Sequence, residues 1–192
     1  WHWSHFEQLL QRQEGIEVTI GGYVYFEMDK ADYSIGDKIF EKKTFSIDDS
    51  LNLFCDMVDG LGFMHSKGVI HQDIKDDNIL IFKEDGQDVA KITDFGLSVD
   101  VSDRRDLYYR NKDGRKVVEA TGTPWTLSPE VLRAQSKRQL EVKYRPERIK
   151  RDEYTVSDIP VVSVDDAKAG DVWSIVCVLY YMITGVHPFA PF

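Results

Sequence analysis

The sequence has almost no cysteine, and only Cys55 and Cys177 occur among its 192 residues. Two cysteines this far apart do not suggest a disulfide framework or a metal site. Each lies within an apolar helical pattern, so we expect both to be small buried side chains. This usage favours a reducing compartment, and we expect a cytoplasmic protein, with the nucleus as the alternative intracellular location.

Long hydrophobic runs are also missing. The longest apolar stretch extends from Val172 to Ile183, which is shorter than the ~20 residues that a membrane-spanning helix needs. We therefore predict that this stretch forms a buried helix of the core. No secretory signal peptide is recognisable at the start of the chain, and we expect no membrane partner.

A third missing feature is an excess of positive charge. Lys and Arg number 24 against 33 Asp and Glu, which gives a formal net charge of -9. Nucleic-acid phosphates attract positively charged surfaces, so we expect no nucleic-acid partner. With 42% hydrophobic and 30% charged residues, the composition is that of one soluble globular domain with a sizeable core.

The first third of the sequence alternates strand patterns with one long helical pattern. Strands are predicted at 6–10 and at 22–27, the second because aromatic and β-branched residues follow a Gly-Gly pair. The stretch Ile47-Asp48-Asp49-Ser50 offers capping residues before a predicted helix that ends at Lys67-Gly68. The apolar residues at helical spacing in it are Leu51, Phe54, Val58, Leu61 and Met64.

A hairpin pattern follows this helix. Its strands are predicted at 79–82 and 89–93, and Glu84-Asp85-Gly86 between them is typical of a hairpin turn. The remaining predictions are a loop at 100–119, a polar charged stretch at 133–168 and a last helix at 171–184.

One segment carries most of the chemical information, and it reads His71-Gln72-Asp73-Ile74-Lys75-Asp76-Asp77-Asn78. It places an Asp, a Lys and an Asn in a loop just before a strand, and Asp94-Phe95-Gly96 follows the second strand of the hairpin. Hard carboxylate and amide oxygens suit Mg²⁺. An ammonium group beside them would stabilise the negative charge of a transferred phosphoryl group. The pattern therefore predicts a phosphoryl-transfer site.

The same segment resembles the protein-kinase catalytic loop, H-R-D-[L/I]-K-x-x-N, which is followed by D-F-G. Residues 121–124 (TGTP) and 128–130 (SPE) resemble the G-T-x-x-x-x-A-P-E end of the activation segment. Residues 170–174 (GDVWS) resemble the S-D-V-W-S opening of the central C-lobe helix. Four motifs in the family's order make the chain similar to eukaryotic-type Ser/Thr protein kinases from about residue 6 to residue 189.

The resemblance implies an α+β, protein-kinase-like fold with a mainly helical C-lobe and a remnant of the N-lobe β-sheet. Residues 1–29 would contain the end of the N-lobe and the hinge. Residues 30–192 would form the C-lobe, with a charged insertion at about 133–168. The implied activity is transfer of the γ-phosphoryl group of Mg-ATP to a Ser or Thr hydroxyl of a protein substrate.

The resemblance also implies roles for individual residues of the catalytic centre. Asp73 would accept the proton of the substrate hydroxyl, and Lys75 would bind and neutralise the γ-phosphate. Thr123 would contact the catalytic loop, and together with Lys75 it favours Ser or Thr over Tyr. Asn78 and Asp94 would bind the nucleotide through Mg²⁺, as the two protein ligands of the metal.

The adenine site is implied at the hinge. The backbone at Glu27 and Asp29 would form hydrogen bonds with adenine, and Phe26 would be the gatekeeper. Leu80 would pack beneath the base. Singly, such residues have ordinary structural interpretations, since Asp and Asn often form turns and Asp171 could be a helix N-cap.

The sequence departs from the family pattern at Gln72, which replaces the usual arginine of the catalytic loop. A neutral amide cannot form the charge-assisted pair with a phosphate on the activation loop. The stretch after Glu130 is also longer than usual, with a basic part at 133–151 followed by an acidic part. A solvated insertion is one interpretation of it, and a docking surface for an acidic partner is the other.

The front of the family pattern is missing. No G-x-G-x-x-G loop, V-A-I-K lysine or partner glutamate is present, so we expect a fragment of an active kinase. Two alternatives stay open. A pseudokinase would act as a binding module or scaffold. A small-molecule phosphotransferase of the aminoglycoside-kinase type would share the spaced Asp, Asn and Asp.

Overall fold

The computed structural model describes residues 17–20, 23–26, 28–41, 43–102, 109–110, 116–144 and 160–189. The predicted strand at 6–10 and the hinge residue Glu27 lie outside these ranges. The chain divides into two compact units, Trp1–Ala31 and Asp32–Phe192. Each unit is described separately.

The first unit contains a two-stranded antiparallel sheet. Strand β1 (Glu17–Ile20) pairs with β2 (Tyr23–Phe26), and Glu17 lies opposite Phe26. The aromatic and β-branched residues of β2 favour extended backbone, and the strand predicted at 22–27 is confirmed over these four residues. Strand β1 is not among the sequence predictions.

The second unit opens with a short strand and two capped helices. Strand β3 (Tyr33–Ser34) leads into α1 (Ile35–Phe40), whose N-cap Ser34 forms a capping box with Asp37. Helix α2 (Ile47–Ser66) begins after the N-cap Ser46. It ends at Lys67 before Gly68, whose φ of 79° suits a glycine. The predicted end of this helix is confirmed.

Of the five apolar residues at helical spacing in α2, Leu61 and Met64 are buried, Phe54 packs against the core and the other two are exposed. Leu53, Met57, Leu61 and Met64 are buried, whereas Leu51 and Val58 are 47% and 44% exposed. The helix carries apolar residues on more than one side, so spacing alone did not identify the core face. Cys55 is exposed as well, so the prediction of two buried cysteines is wrong for it. Cys177 is buried, and this burial raises the pKa of its thiol to about 11.

The predicted hairpin is confirmed. Strand β5 (Ile79–Glu84) pairs with β6 (Gln87–Ile92), and β3 joins the outer edge of β5. Asp85 and Gly86 have φ values of 48° and 83°, as a tight hairpin turn requires. Residues Ile79 and Ile81 are buried and face the core with α2.

The last helix begins earlier than predicted. Helix α4 runs from Val164 to Thr184 and has Ser163 as its N-cap. The polar and small residues of its first two turns interrupt the apolar pattern, which is why position 171 looked like a start. Ile175, Val178 and Met182 are buried against α2 and the hairpin, so the prediction of a core helix is confirmed. No helix among the described residues is long and apolar enough to cross a membrane.

The region predicted to be a loop and the region predicted to be a charged insertion both contain regular structure. Two short strands, β8 (Tyr109–Arg110) and β9 (Lys116–Glu119), lie within the predicted loop at 100–119. In the predicted insertion, helix α3 (Pro129–Tyr144) extends past residue 133, and strand β10 (Val161–Ser163) pairs with β9. These strands are only two to four residues long, and β9 also pairs with the distant β10, so local patterns did not indicate them.

Two small strands and two hydrophobic clusters complete the second unit. Strand β4 (Val69–Ile70) pairs with β7 (Val99–Asp100) and brackets the predicted catalytic loop and hairpin. One cluster joins α1, α2, the hairpin and α4. The other includes Ile70, Val118, Leu127, Val131 and Val162. The predicted catalytic loop follows Ile70 of the second cluster and precedes Ile79 of the first.

Candidate active site

The predicted catalytic loop leaves β4 and is anchored by one carboxylate of helix α4. Asp171 is 2% exposed. Its Oδ2 accepts the His71 N–H at 2.9 Å and its Oδ1 accepts the Gln72 N–H at 2.8 Å. His65 Nε2 lies 2.9 Å from the same Oδ2. Asp171 is therefore inside α4 and is not the helix N-cap, and it fixes the start of the loop with charge-assisted bonds.

Gln72, at the position of the unusual substitution, joins the loop to the returning chain. Its φ is 67°, and its side-chain Nε2 donates to the Glu119 carbonyl at 2.6 Å. Gly122 lies so close that a Cβ there would overlap the Gln72 carbonyl oxygen. Through Gln72, the segment that resembles an activation segment is thus held to the loop by contacts that involve no phosphate and no positive charge.

Asp73 lies at the centre of the three residues predicted to be catalytic. Its Oδ1 accepts the hydroxyl of Thr123 at 2.6 Å, and Lys75 Nζ lies 3.3 Å from its Oδ2. Asp73 is buried, with 9% of its surface exposed. The structure therefore brings Asp73, Lys75 and Thr123 together, although their separation in sequence reaches 50 residues.

Asn78 closes the loop from the other side. Its Nδ2 donates to the Asp73 carbonyl at 2.9 Å and lies 3.4 Å from Asp73 Oδ2. Because the amide nitrogen is used in this way, the amide oxygen is the atom left for a cation. Thr93 N–H donates to the Asn78 carbonyl at 2.9 Å, so Asp94 follows at the same end of the hairpin.

Asp94 has left-handed backbone, with a φ of 63° and a ψ of 74°. Its side chain is exposed, and its Oδ1 accepts the Gly96 N–H at 3.2 Å. The following Phe95 places its ring 5.3 Å from the ring of His71, whose Nε2 lies 2.9 Å from the Thr93 carbonyl oxygen. These contacts connect the tripeptide to the catalytic loop and leave Asp94 Oδ2 open to solvent or a ligand.

Of the three residues predicted to contact adenine, the structure describes Leu80 and Asp29 but not Glu27. Leu80 is half-buried in β5, opposite Lys91, immediately after the turn that carries Asn78. Asp29 is exposed and belongs to the first unit, and Glu27 lies outside the described residues. The roles of all three in nucleotide binding stay predictions.

The donor atoms suit Mg²⁺, which prefers oxygen and usually keeps only one or two protein carboxylates beside phosphate and water. Asn78 offers an amide oxygen and Asp94 offers a carboxylate oxygen. Within the described ranges, no group of three or more His, Cys, Asp or Glu side chains could hold a metal ion. A site that takes its remaining ligands from a bound nucleotide fits these residues better than a closed protein cage.

Sequence reasoning missed two residues beside this site. Asp76 is buried in the 3-10 turn Asp76–Asn78, and His187 Nε2 lies 3.6 Å from its Oδ1. Burial is the main factor that raises the pKa of Asp76; the Asp77 carboxylate raises it further, and His187 opposes the shift. The Asp-Asp pair within the loop was the available signal for Asp76. No local pattern points to His187.

This fold and site define a class of protein. The family model "Protein kinase domain" matches residues 17–143, about two thirds of the chain. The match begins at β1, includes the catalytic loop and the hairpin, and ends within the last turn of α3. The chain belongs to the protein kinase family, and its α+β structure is that of a partial kinase domain.

Individual relatives make the class more specific. The chain is 29% identical over 153 residues to "Calcium/calmodulin-dependent protein kinase type 1" of Caenorhabditis elegans, which is 80% of this chain and 32% of that protein. It is 28% identical over 182 residues to "Calcium-dependent protein kinase 21" of Oryza sativa subsp. japonica, 94% of this chain and 25% of the relative. "CBL-interacting serine/threonine-protein kinase 1" of Arabidopsis thaliana is 30% identical over 153 residues, 80% of this chain and 26% of that protein. The chain thus spans a third or less of these relatives.

Proposed function

We propose that the whole protein transfers the γ-phosphoryl group of Mg-ATP to a Ser or Thr hydroxyl of a protein substrate. The observation that carries this proposal is the arrangement around Asp73. A buried carboxylate is contacted by a hydroxyl from Thr123, an ammonium from Lys75 and an amide from Asn78. Phosphoryl transfer depends mainly on positioning and on stabilising charge, and this group of side chains supplies both.

Each residue has a defined task in the proposed reaction. Asp73 orients the acceptor hydroxyl and takes its proton, while the Thr123 hydroxyl fixes the rotamer of that carboxylate. Lys75 faces the transferred group and neutralises part of its charge. Asn78 and Asp94 would hold Mg²⁺ through their oxygens, and the ion would offset negative charge on the phosphates.

The preference for Ser and Thr rests on Lys75 and Thr123 and on the relatives. The printed name of the Arabidopsis relative includes "serine/threonine-protein kinase". A direct test offers the whole protein matched peptides with a single Ser, Thr or Tyr and follows phosphate transfer from radiolabelled ATP. Transfer to Tyr alone would contradict the proposal.

Two other functions are distinguished by simple assays. A pseudokinase would bind partners without transfer, but Asp73, Lys75, Asn78 and Asp94 are all present. A small-molecule phosphotransferase would act on an aminoglycoside and not on peptides. The match to a protein kinase domain favours a protein substrate, and parallel assays with both acceptors separate these possibilities.

Replacing Asp94 with Asn should weaken binding of Mg-ATP roughly tenfold or more and change binding of metal-free ATP far less. The reason is that the carboxylate acts on the nucleotide through the metal, and an amide lacks the charge that neutralises Mg²⁺. Titration calorimetry of the whole protein, with Mg²⁺ and with a chelator, measures both affinities. Asp85→Asn in the hairpin turn is the matched control. Equal losses in both conditions would contradict a metal role.

Activity should depend little on phosphorylation of the segment between β7 and α3. Gln72 offers no positive charge to a phosphate, and it already binds the Glu119 carbonyl, while β9 is paired with β10. We expect phosphatase treatment of the whole protein to lower turnover by less than about twofold. A large loss that is reversed by rephosphorylation would show that other basic residues bind the phosphate.

The basic part of the stretch at 133–151 is the proposed docking site for an acidic protein partner. Its side chains beyond residue 136 lie outside the described set, and Arg133 is exposed. The names of relatives include calcium, calmodulin and CBL, so an acidic calcium-responsive regulator is the kind of partner to test. Binding that does not weaken when basic residues of this stretch are changed to Gln would exclude it.

A further inference from the structure

His187, just beyond the end of helix α4, contacts that helix through Tyr181 and the catalytic loop through Asp76. Its ring stacks on Tyr181 with centroids 3.8 Å apart and planes inclined by 10°. Its Nε2 lies 3.6 Å from Asp76 Oδ1, and only 18% of its side chain is exposed. The stack fixes the plane of the imidazole and aims one ring nitrogen at the carboxylate.

Asp76 needs such a partner because it is a buried carboxylate beside another carboxylate. It is 8% exposed. A Cβ built on Gly36 of α1 would come 2.8 Å from Asp76 Oδ2 and would overlap Asp77 Oδ1. Both carboxylates therefore lie close to the backbone of Gly36. Burial raises the pKa of Tyr181, and the nearby Asp76 and Asp77 carboxylates raise it further. Removing the partner of a buried charge is costly in such surroundings.

The turn that contains Asp76 also carries Asn78. Within it, the Asn78 N–H donates to the Lys75 carbonyl at 3.0 Å, and the Asn78 carbonyl accepts the Thr93 N–H at 2.9 Å. Asp76 is the first residue of this turn and lies two residues before Asn78. Asp94 follows Thr93 directly and depends on the same hydrogen bond.

We infer that His187 is a positioning residue of the catalytic loop, which holds Asp76 and thereby fixes the turn that presents Asn78. The catalytic consequence rests on the proposed function, in which Asn78 binds the metal of Mg-ATP. The positioning of the turn by His187 does not depend on the proposed function, because it concerns hydrogen bonds of the chain without nucleotide. His187 acts through Asp76 and contacts neither reacting group.

The test uses amide hydrogen exchange of the 192-residue chain, measured by NMR without nucleotide. His187→Phe keeps a ring that can stack on Tyr181 and removes the nitrogen that faces Asp76. We expect exchange of the Asn78 and Thr93 amides to become roughly tenfold faster or more. The Val101 amide, which bonds the Gly68 carbonyl, reports on the rest of the unit and should change little.

A second substitution separates charge from packing. Adding Asp76→Asn to His187→Phe removes the carboxylate that lost its partner, so protection at Asn78 and Thr93 should return toward the original values. His187→Gln, a milder change that retains an N–H donor, should give an intermediate rate.

The possible results separate cleanly. Unchanged exchange in His187→Phe, equal acceleration at Val101, or no rescue by Asp76→Asn would each overturn the inference. If His187→Phe does not fold, as judged by circular dichroism, the His187→Gln rates and their rescue decide the question in the same way. None of these readouts requires transfer activity, so a failure of the proposed function would leave them standing.

Discussion

Changing Asp73 to Asn should reduce phosphate transfer by the whole protein roughly 10²–10⁴-fold. Asn has nearly the same size, and its amide oxygen can still accept the Thr123 hydroxyl that now bonds Asp73 Oδ1 at 2.6 Å. What is lost is the negative charge and the ability to take a proton from the acceptor hydroxyl. The fold should survive the change, while the chemical step should not.

Nucleotide binding gives the second half of this test. Asp73 is proposed to act on the acceptor and not on ATP, so the affinity for Mg-ATP should stay within about twofold. Turnover is measured with radiolabelled ATP and affinity by calorimetry on the same preparation. Asp59→Asn, the same change at an exposed position of α2, is the control. Unchanged turnover in Asp73→Asn would remove Asp73 from the proposed mechanism.

The second large effect is expected on stability. Asp171→Ala should lower the free energy of unfolding of the chain by about 3–5 kcal/mol. The carboxylate accepts the N–H groups of His71 and Gln72 and faces His65, and it is 2% exposed. Alanine would leave these backbone donors buried without a partner, which costs more than the mere loss of a hydrogen bond.

Urea unfolding followed by circular dichroism measures this loss, provided that the transition is two-state. Asp165→Ala, at an exposed position in the first turn of the same helix, should cost only about 0.5 kcal/mol, because it removes a charge near the helix N-terminus. If the two alanine variants unfold at the same urea concentration, the anchoring role assigned to Asp171 is wrong.

The catalytic loop and its neighbours were predictable because their information is local. Asp73, Lys75 and Asn78 lie within six consecutive residues, so their spacing alone indicates one loop that presents oxygen and nitrogen groups together. The hairpin that brings Asp94 back to Asn78 was also predictable, since its turn residues and strand pattern are adjacent in sequence. Thr123 needed the resemblance to a family, because nothing local links it to Asp73.

Other features depend on contacts between distant segments, which no local pattern encodes. Asp171 lies 100 residues from His71, the residue it anchors, and a carboxylate within an apolar run is equally consistent with a helix cap. Val118 of β9 and Val162 of β10 lie opposite each other and are buried in one cluster with residues from several distant segments. The solvent-facing Leu51 and Val58 show a further limit, since a helix with apolar residues on two sides does not reveal which side the core will cover.

The close approach of Gly122 to Gln72 has a consequence for how this sequence can evolve. Two backbone segments of the chain approach each other there, and Gly122 has a φ of 121°. A Cβ on Gly122 would also come 2.8 Å from Leu127 Cδ2. No rearrangement of a flexible side chain can make room, because one neighbour is a backbone carbonyl. At Gly62 on the surface of α2, no atom lies within 4 Å of an added Cβ, so this position has room for other side chains. Position 122 has no room for a side chain, so homologous proteins that keep this loop conformation must keep the glycine.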